Sequence, residues 1–264
     1  MLPFVAVLLA SPLALTEAPP PAAEAPGFDL TAFAFPALVA EDLKPEDYGK
    51  WHGSVSLGAT FSDGNTDRTT FAATGKAENR REKDRTTFEL LWNYAEEEDV
   101  ITQRRTYGSA KYDYFVTKKL YYLGQVSGES DKNAALDLRM IYAVGAGYQF
   151  REDEVWKING EAGLAWVDEN YDVNSADAEY PAARLAYKAD WTPNEKWAVG
   201  QAGQIYPSLE DSDDVNALVD THAKLTLTEK LFAQLQWIYT WDNTPAPGKE
   251  RVDNLLLLTL GWTF

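Results

Sequence analysis

From Lys50 to the last residue, apolar and polar side chains take turns with a period of two, and polar turns break the pattern at regular intervals. The clearest stretch is Leu138 to Phe150, where Met140, Tyr142, Val144, Ala146, Tyr148 and Phe150 alternate with Arg139, Ala143, Gly145, Gly147 and Gln149. The same division recurs in Phe88, Leu90, Trp92 and Tyr94 against Thr87, Glu89 and Asn93. It appears again in Trp156, Ile158, Ala162, Leu164 and Trp166 against Lys157, Asn159 and Glu161, and in Leu235, Trp237, Tyr239 and Trp241 against Gln234, Gln236 and Thr240. Alternation over ten or more residues is long for a strand of a soluble domain, but it suits a tilted strand crossing a bilayer.

Twelve segments carry the pattern, near 50–61, 69–80, 85–95, 103–116, 119–128, 138–150, 155–167, 181–192, 196–206, 215–227, 231–241 and 252–264. Alternation is weakest in 119–128 and 196–206. An even number of strands fits a closed antiparallel up-and-down transmembrane β-barrel, an all-β fold. The connections point the same way. Short ones (Arg81 to Asp84, Thr117-Lys118, Arg151 to Glu154, Pro193 to Glu195, Thr228 to Lys230) alternate with long ones (Ser62 to Arg68, Glu96 to Thr102, Glu129 to Asp137, Asp168 to Tyr180, Pro207 to Asp214, Asp242 to Arg251). Short periplasmic turns and long outer loops in this order place both termini in the periplasm. The competing reading is a soluble β-sandwich or barrel whose aromatics form an ordinary core.

The N-terminal region has a different texture. Leu2 to Leu15 is apolar and rich in small residues, and it gives way to Thr16-Glu17-Ala18, so residues 1–18 read as a signal peptide of a Gram-negative export route. It lacks the usual basic start, because the first basic residue is Lys44. Residues 19–49 read as a Pro/Ala linker and a short segment before a barrel spanning 50–264.

Composition narrows the function classes. Nine Trp, 14 Tyr and 11 Phe sit in a polar chain of 264 residues with a mean hydropathy of −0.37, as expected when a lipid face and an aqueous face average out. A formal charge of −17 argues against nucleic acid as a partner, since that contact depends on basic residues neutralising phosphates. With no cysteine there is no disulfide, thiolate metal site or thiol nucleophile. No cofactor is expected.

The facing of each strand nominates interior residues. A polar lumen network is expected from Glu89, Arg105, Lys111, Asp113, Arg139, Lys157, Glu161, Arg184, Lys188, Asp190, Asp220, His222 and Lys224. Its mix of five acids and seven bases makes the interior slightly basic. Such charges either knit the lumen shut as a plug or line a narrow ion path. On the lipid side, an aromatic girdle is expected from Trp51, Trp156, Trp191, Trp197 and Trp262 at the periplasmic rim, and from Trp92, Trp166, Tyr206 and Trp241 at the outer rim.

Two other constellations carry candidate chemistry. His52 and Ser54 share one face, as a His/Ser pair of an outer-membrane lipid hydrolase would, but that face is opposite Trp51, Val55, Leu57 and Phe61 and so points inward, away from acyl chains. The expectation is therefore a barrel that is no enzyme, with no catalytic residues and no resident metal. Acidic clusters mark the long loops: Glu96, Glu97, Glu98 and Asp99; Asp168, Glu169, Asp172, Asp177 and Glu179; Glu210, Asp211, Asp213 and Asp214. These read as solvated loops or as weak binders of divalent cations such as Ca²⁺ or Mg²⁺, without the ligand spacing of an EF-hand.

A first strand leading into a Gly-Asn-Thr turn, Leu57 to Asp67, followed by repeated hairpins and a C-terminal Phe264, resembles the salt-induced outer-membrane protein family, a bacterial domain of unknown function. The resemblance covers Trp51 to the end. It implies a place in the outer membrane and a role in salt or envelope stress, and it supplies no catalytic residues. The aromatic C-terminal residue resembles the signal by which such barrels engage the barrel assembly machinery, with outer-membrane lipid as the other partner. Within that frame the role is structural, a narrow channel, or, as alternatives, a porin-like diffusion channel or a lipid hydrolase.

Overall fold

The computed structural model describes residues 48–62, 68–172, 177–246 and 248–264, with backbone only for 60–62 and 68. The expected signal peptide, nearly all of the linker and the Gly-Asn-Thr turn lie outside the described residues. Twelve strands follow in order: β1 (Trp51–Ser62), β2 (Arg68–Arg80), β3 (Asp84–Glu97), β4 (Val100–Phe115), β5 (Leu120–Asp131), β6 (Leu136–Glu152), β7 (Trp156–Tyr171), β8 (Ala178–Asn194), β9 (Trp197–Pro207), β10 (Val215–Thr226), β11 (Leu231–Asp242) and β12 (Val252–Thr263). Each pairs antiparallel with its sequence neighbours, and β1 pairs with β12, so the sheet closes into a barrel. Closure removes the exposed sheet edges that an open sheet would present.

Facing follows the pleat. Leu90, Trp92, Val144, Leu164, Trp166, Leu258 and Leu260 are exposed on the outside. Their alternating neighbours, among them Leu91, Asn93, Ala143, Ala165, Leu257 and Thr259, are buried inside. The two strands with the weakest alternation owe it to glycine, with Gly124 and Gly128 in β5 and Gly200 and Gly203 in β9 taking positions where a side chain would reveal the facing. One of these positions requires its glycine: a Cβ on Gly200 would lie 2.4 Å from the His222 imidazole and 2.5 Å from an Asp190 oxygen.

Four of the five short turns share one local device. A side-chain oxygen at the first turn position accepts the backbone N–H three residues on: Thr117 Oγ1 from Leu120 at 2.9 Å, Asp153 Oδ1 from Trp156 at 2.8 Å, Asn194 Oδ1 from Trp197 at 3.1 Å and Thr228 Oγ1 from Leu231 at 3.0 Å. Asx and ST turns of this kind mimic a backbone turn and end the ladder sharply. At Asp153 the Arg151 guanidinium adds a hydrogen bond, and together with the turn's N–H groups it holds the carboxyl below the usual carboxylate range.

At the opposite rim the strands run further than their alternation does. β3, β5 and β6 continue there past register shifts at Ala95/Glu96, Glu129/Asp131 and Leu136/Leu138, and two more shifts, Gln149/Arg151 and Trp191/Asn194, lie at the short-turn rim. A bulge puts two residues opposite one, so period two stops there although pairing goes on. The loop expected over Glu96 to Thr102 is accordingly a two-residue turn, Glu98-Asp99, both at positive φ (49° and 61°). That is the hairpin geometry that usually carries Asn-Gly. Replacing Asp99 with glycine is expected to stabilise the hairpin by about 0.5–1 kcal/mol, read as a higher urea midpoint in detergent. An unchanged or lower midpoint would show that Asp99 bears no strain.

Candidate functional site: the barrel interior

The interior divides into three zones. Towards the short-turn end lies a cavity of about 820 Å³, whose lining runs from Tyr107 and Leu218 at its roof to Arg151, Glu195 and Thr228 to Lys230 at the rim. Its walls carry opposed charges in pairs. Lys76 donates to Glu89 at 2.5 Å, Arg85 meets Asp113 at 2.7 Å and Lys188 meets Asp190 at 2.9 Å. His222 stands between Asp190 (3.9 Å from Nε2) and Asp220 (3.7 Å from Nδ1), and Gln236 donates to the other Asp220 oxygen at 2.5 Å. Lys224 is buried with its ammonium 4.0 Å from the Phe232 ring centre. Lys157 also lines this chamber.

Glu161 is the hub on the β5–β8 side. Lys111 and the Tyr121 hydroxyl (2.7 Å) donate to one of its oxygens, and Arg184 donates to the other at 2.8 Å. Arg184 also reaches Gln125 on β5 at 3.0 Å and Tyr206 on β9 at 3.3 Å, which ties four strands to one side chain. Tyr121 gains its place because Gly147 is bare: a Cβ there would come within 2.2 Å of the ring.

Above the cavity is an apolar layer. Ala72, Leu91, Ile238 and Leu257 form one buried cluster, and Leu91, Ile238 and Leu257 are 0% exposed. Tyr107 on β4 and Leu218 on β10, with five strands between them in either direction around the ring, pack against its two flanks, so the layer fills the half of the bore that runs from β10 through β12 to β4. A second cluster, including Ala143, Val167, Tyr180 and Tyr206, fills the β6–β9 side.

Near the long-loop end the bore is crossed by ions. Arg139 on β6 donates to Glu169 at 2.6 Å and, across the barrel, to Asp242 on β11 at 3.1 Å. Arg105 pairs with Glu129 at 2.5 Å. Tyr180 donates to Glu169 at 3.3 Å and accepts from Asn216 at 2.9 Å.

Every residue nominated for the lumen network lies on the interior side, but the partners that complete it include residues that alternation did not bring forward. Glu78, Glu129, Asp131, Glu169 and Asp242 join the acids, and Lys76, Arg80 and Arg85 join the bases, so the expected basic surplus is absent and charge is balanced. Glu129, Asp131, Glu169 and Asp242 sit where the alternation fades into the rims; the pattern places Glu169 among the loop acids, whereas the structure places it on β7, buried inside. Tyr206, expected in the outer girdle, is instead buried inside at 3% exposure, because Arg184 and Gln204 offer its hydroxyl hydrogen bonds that lipid cannot.

The remaining nominated rings face outward. Trp51, Trp191, Trp197 and Trp262 are exposed near the short-turn end, where Trp156 stacks on Trp191 at 5.8 Å, and Trp92 and Trp166 are exposed nearer the long loops. Trp241, half-buried, follows Trp237 and Tyr239 on the outward set of β11. Phe264 exchanges backbone hydrogen bonds with Gly53 (3.0 and 2.9 Å), and its ring occupies the space a Gly53 Cβ would need. His52 and Ser54 face inward, but His52 Nε2 and Ser54 Oγ each lack a hydrogen-bond partner, so they do not form a nucleophile–base pair. Among the described residues no three carboxylate or imidazole side chains converge as a metal site, and no helix is long and apolar enough to cross a membrane.

Among solved structures the chain resembles the NanC porin (TM-score 0.46, 7% identity, covering 80% of this chain and 96% of that one). It also resembles the translocator domain of the autotransporter NalP from Neisseria meningitidis (0.42, 11%, 81% and 86%) and an anion-selective porin from Comamonas acidovorans (0.36, 10%, 81% and 99%). No functional reading rests on likenesses of this degree. No curated protein sequence matches the chain. Residues 55–264, most of the chain, match a family described as a protein of unknown function, DUF481, and with its closed twelve-stranded barrel the chain belongs to that family.

Proposed function

We propose that this protein is a non-catalytic outer-membrane β-barrel whose bore is closed at mid-height, serving the envelope structurally or as a tightly restricted channel, in the salt-stress setting that its family resemblance implies. The observation that carries the reading is the apolar filling: Leu91, Ile238 and Leu257, without solvent exposure, occupy one half of the bore above a charged chamber, and a second buried cluster occupies the β6–β9 side. A dry apolar constriction opposes ion passage, because an ion entering it loses hydration that no side chain there replaces. The Arg139–Asp242 bridge narrows the same path nearer the long loops without sealing it.

The outer surface supports the membrane part of this reading. Exposed Leu, Val, Trp and Tyr side chains cover the wall, and in water they would form an apolar surface far larger than soluble monomers show. On the usual rule for such barrels the short turns and both termini face the periplasm, which makes the chamber a periplasmic vestibule.

Recording from purified protein in a planar bilayer tests the closed bore. We expect no stepwise conductance from the native chain. Regular open-pore steps would overturn the reading in favour of a diffusion channel. Folded protein should also need detergent to stay soluble and should migrate differently on electrophoresis before and after boiling. Free solubility without detergent would refute the membrane assignment.

A further inference from the structure

The wall of this barrel is uneven. β1 pairs with β2 from Trp51 to Ser62, and β12 pairs with β11 from Val252 to Trp262. Across the closing seam, however, the β1–β12 ladder runs only from Ser54–Thr263 to Leu57–Leu260, with Gly53 and Phe264 bonded below it. Towards the long loops, Gly58 and Ala59 on one side and Val252 to Thr259 on the other have no ladder partner across the seam among the described residues. The seam is therefore the part of the wall that opens with the fewest hydrogen bonds to break.

What lies behind that gap differs from the rest of the interior. Leu257 projects inward from the unpaired part of β12, and Ala72 pairs with Gly58 just across the gap. Gly58 offers no side chain to screen them. Both belong to the apolar layer with Leu91 and Ile238. On the outer side the same stretch of β12 presents Leu258, 60% exposed. Opening other ladders would bring ion pairs such as Lys76–Glu89, Lys111–Glu161 or Arg139–Glu169 towards hydrocarbon. Opening this one exposes Leu257 and Ala72 together with the uncharged hydroxyls of Thr259 and Thr70, and lipid tails are as apolar as leucine, so that contact costs less than baring an ion pair.

We propose that the long-loop half of the β1–β12 seam is a lateral portal through which an aliphatic chain of a membrane lipid reaches the apolar layer inside the barrel. The layer then serves as the inner wall of the portal. Tyr107 and Leu218, which pack on it and also roof the charged chamber, separate the chain from that chamber by one course of side chains. The proposal rests on the membrane reading above, and its test keeps the two apart.

The chain has no cysteine, so single thiols can be placed cleanly. The full-length protein is reconstituted in phosphatidylcholine vesicles that contain a phosphatidylcholine with a maleimide at the end of one acyl chain, and the mass gain of each variant is followed. Ala72→Cys and Ala143→Cys are matched, since both alanines face inward at 3% and 4% exposure, one beside the seam and one on β6. Leu90→Cys, on the outer face, reports whether the wall contacts lipid at all. The expected result is rapid labelling of Leu90→Cys and labelling of Ala72→Cys at least tenfold faster than Ala143→Cys. Equal rates at the two interior sites, fast or slow, with Leu90→Cys labelled, would overturn the portal and leave the membrane reading standing. An unreactive Leu90→Cys would overturn both. As a second measurement, the pair Leu57→Cys with Leu260→Cys, within the ladder, should cross-link readily under mild oxidation, and Ala59→Cys with Leu258→Cys should not. Equally complete cross-linking of both pairs would mean a zipped seam and would also overturn the portal.

Discussion

Replacing Glu161 with alanine is expected to lower the stability of the folded barrel by about 3–5 kcal/mol, one of the largest losses available to a single substitution here. The Glu161 and Arg184 side chains are 5% and 4% exposed, and the carboxylate answers Arg184, Lys111 and Tyr121 together. Removing it leaves the buried Arg184 guanidinium with no carboxylate and takes from Lys111 the closer of its two, Asp113 remaining at 3.3 Å. An uncompensated buried charge loses its hydration and gets no partner in return. The urea midpoint of the detergent-folded protein reads the loss. Glu161→Gln should recover only part of it, because an amide accepts hydrogen bonds without neutralising the cations. The triple change Glu161→Leu, Lys111→Met, Arg184→Met should restore most of it, since hydrophobic replacement of a whole buried ionic group is often close to neutral. A loss below about 1 kcal/mol for Glu161→Ala, the level of a surface pair, would show that the hub is solvated and carries little energy.

The second large effect is expected at the apolar layer. Ile238→Ala should cost about 2–5 kcal/mol, the range for truncating a fully buried aliphatic side chain whose surroundings cannot collapse onto the vacancy. Collapse is restricted here because Ile238 stands on a strand held on both sides, paired with Asp220 on β10 and Leu255 on β12. The functional consequence needs more than a cavity. Ile238→Ser combined with Leu257→Ser makes the layer polar enough to admit water, and stepwise conductance should then appear in planar bilayers where the native chain shows none. If the double variant folds, as its electrophoretic shift on boiling reports, and stays silent, then the apolar layer is not what closes the bore.

The two predictions separate the parts of the interior. Ion pairs and hydrogen bonds to Glu161 hold β4, β5, β7 and β8 in one arrangement. The apolar layer contributes closure, with no directional demand on its members. This division explains why the charges are balanced where the chain as a whole is strongly acidic. The surplus carboxylates of the −17 chain stay where water reaches them, as Glu98, Asp99, Glu210, Asp211 and Asp213 do.

Individual strands show how far the residues alone lead. β7 is legible as far as Val167 because Trp156, Ile158, Leu164 and Trp166 alternate with Lys157, Asn159, Glu161 and Ala165, and one slip would bury charge in lipid; its last stretch of pairing, to Tyr171, is not. β5 and β9 are less legible, since Gly124, Gly128, Gly200 and Gly203 leave blanks in the pattern. Alternation near residues 95, 128, 138, 150 and 192 ends where bulges shift the register, so the strands beyond them and the acids they carry were read as loop. Tyr206 shows the converse error: its position near a strand end suggested a girdle, while its facing depended on Arg184, 22 residues away in the chain.

By itself the sequence determined that there are twelve strands, which side of the sheet most side chains take, and that the sheet must close, because period two is a local property of an extended chain and a sheet apolar on one face with lipid-length strands has no open edge it can leave unpaired. Only the tertiary structure decided that Arg139 reaches Asp242, that Tyr107 and Leu218 meet through the same apolar layer, and that β1 and β12 part above Leu57 and Leu260. The first two join residues on distant walls and the third sets how the ring meets itself, and all three follow from the tilt and shear of the whole ring rather than from any one strand.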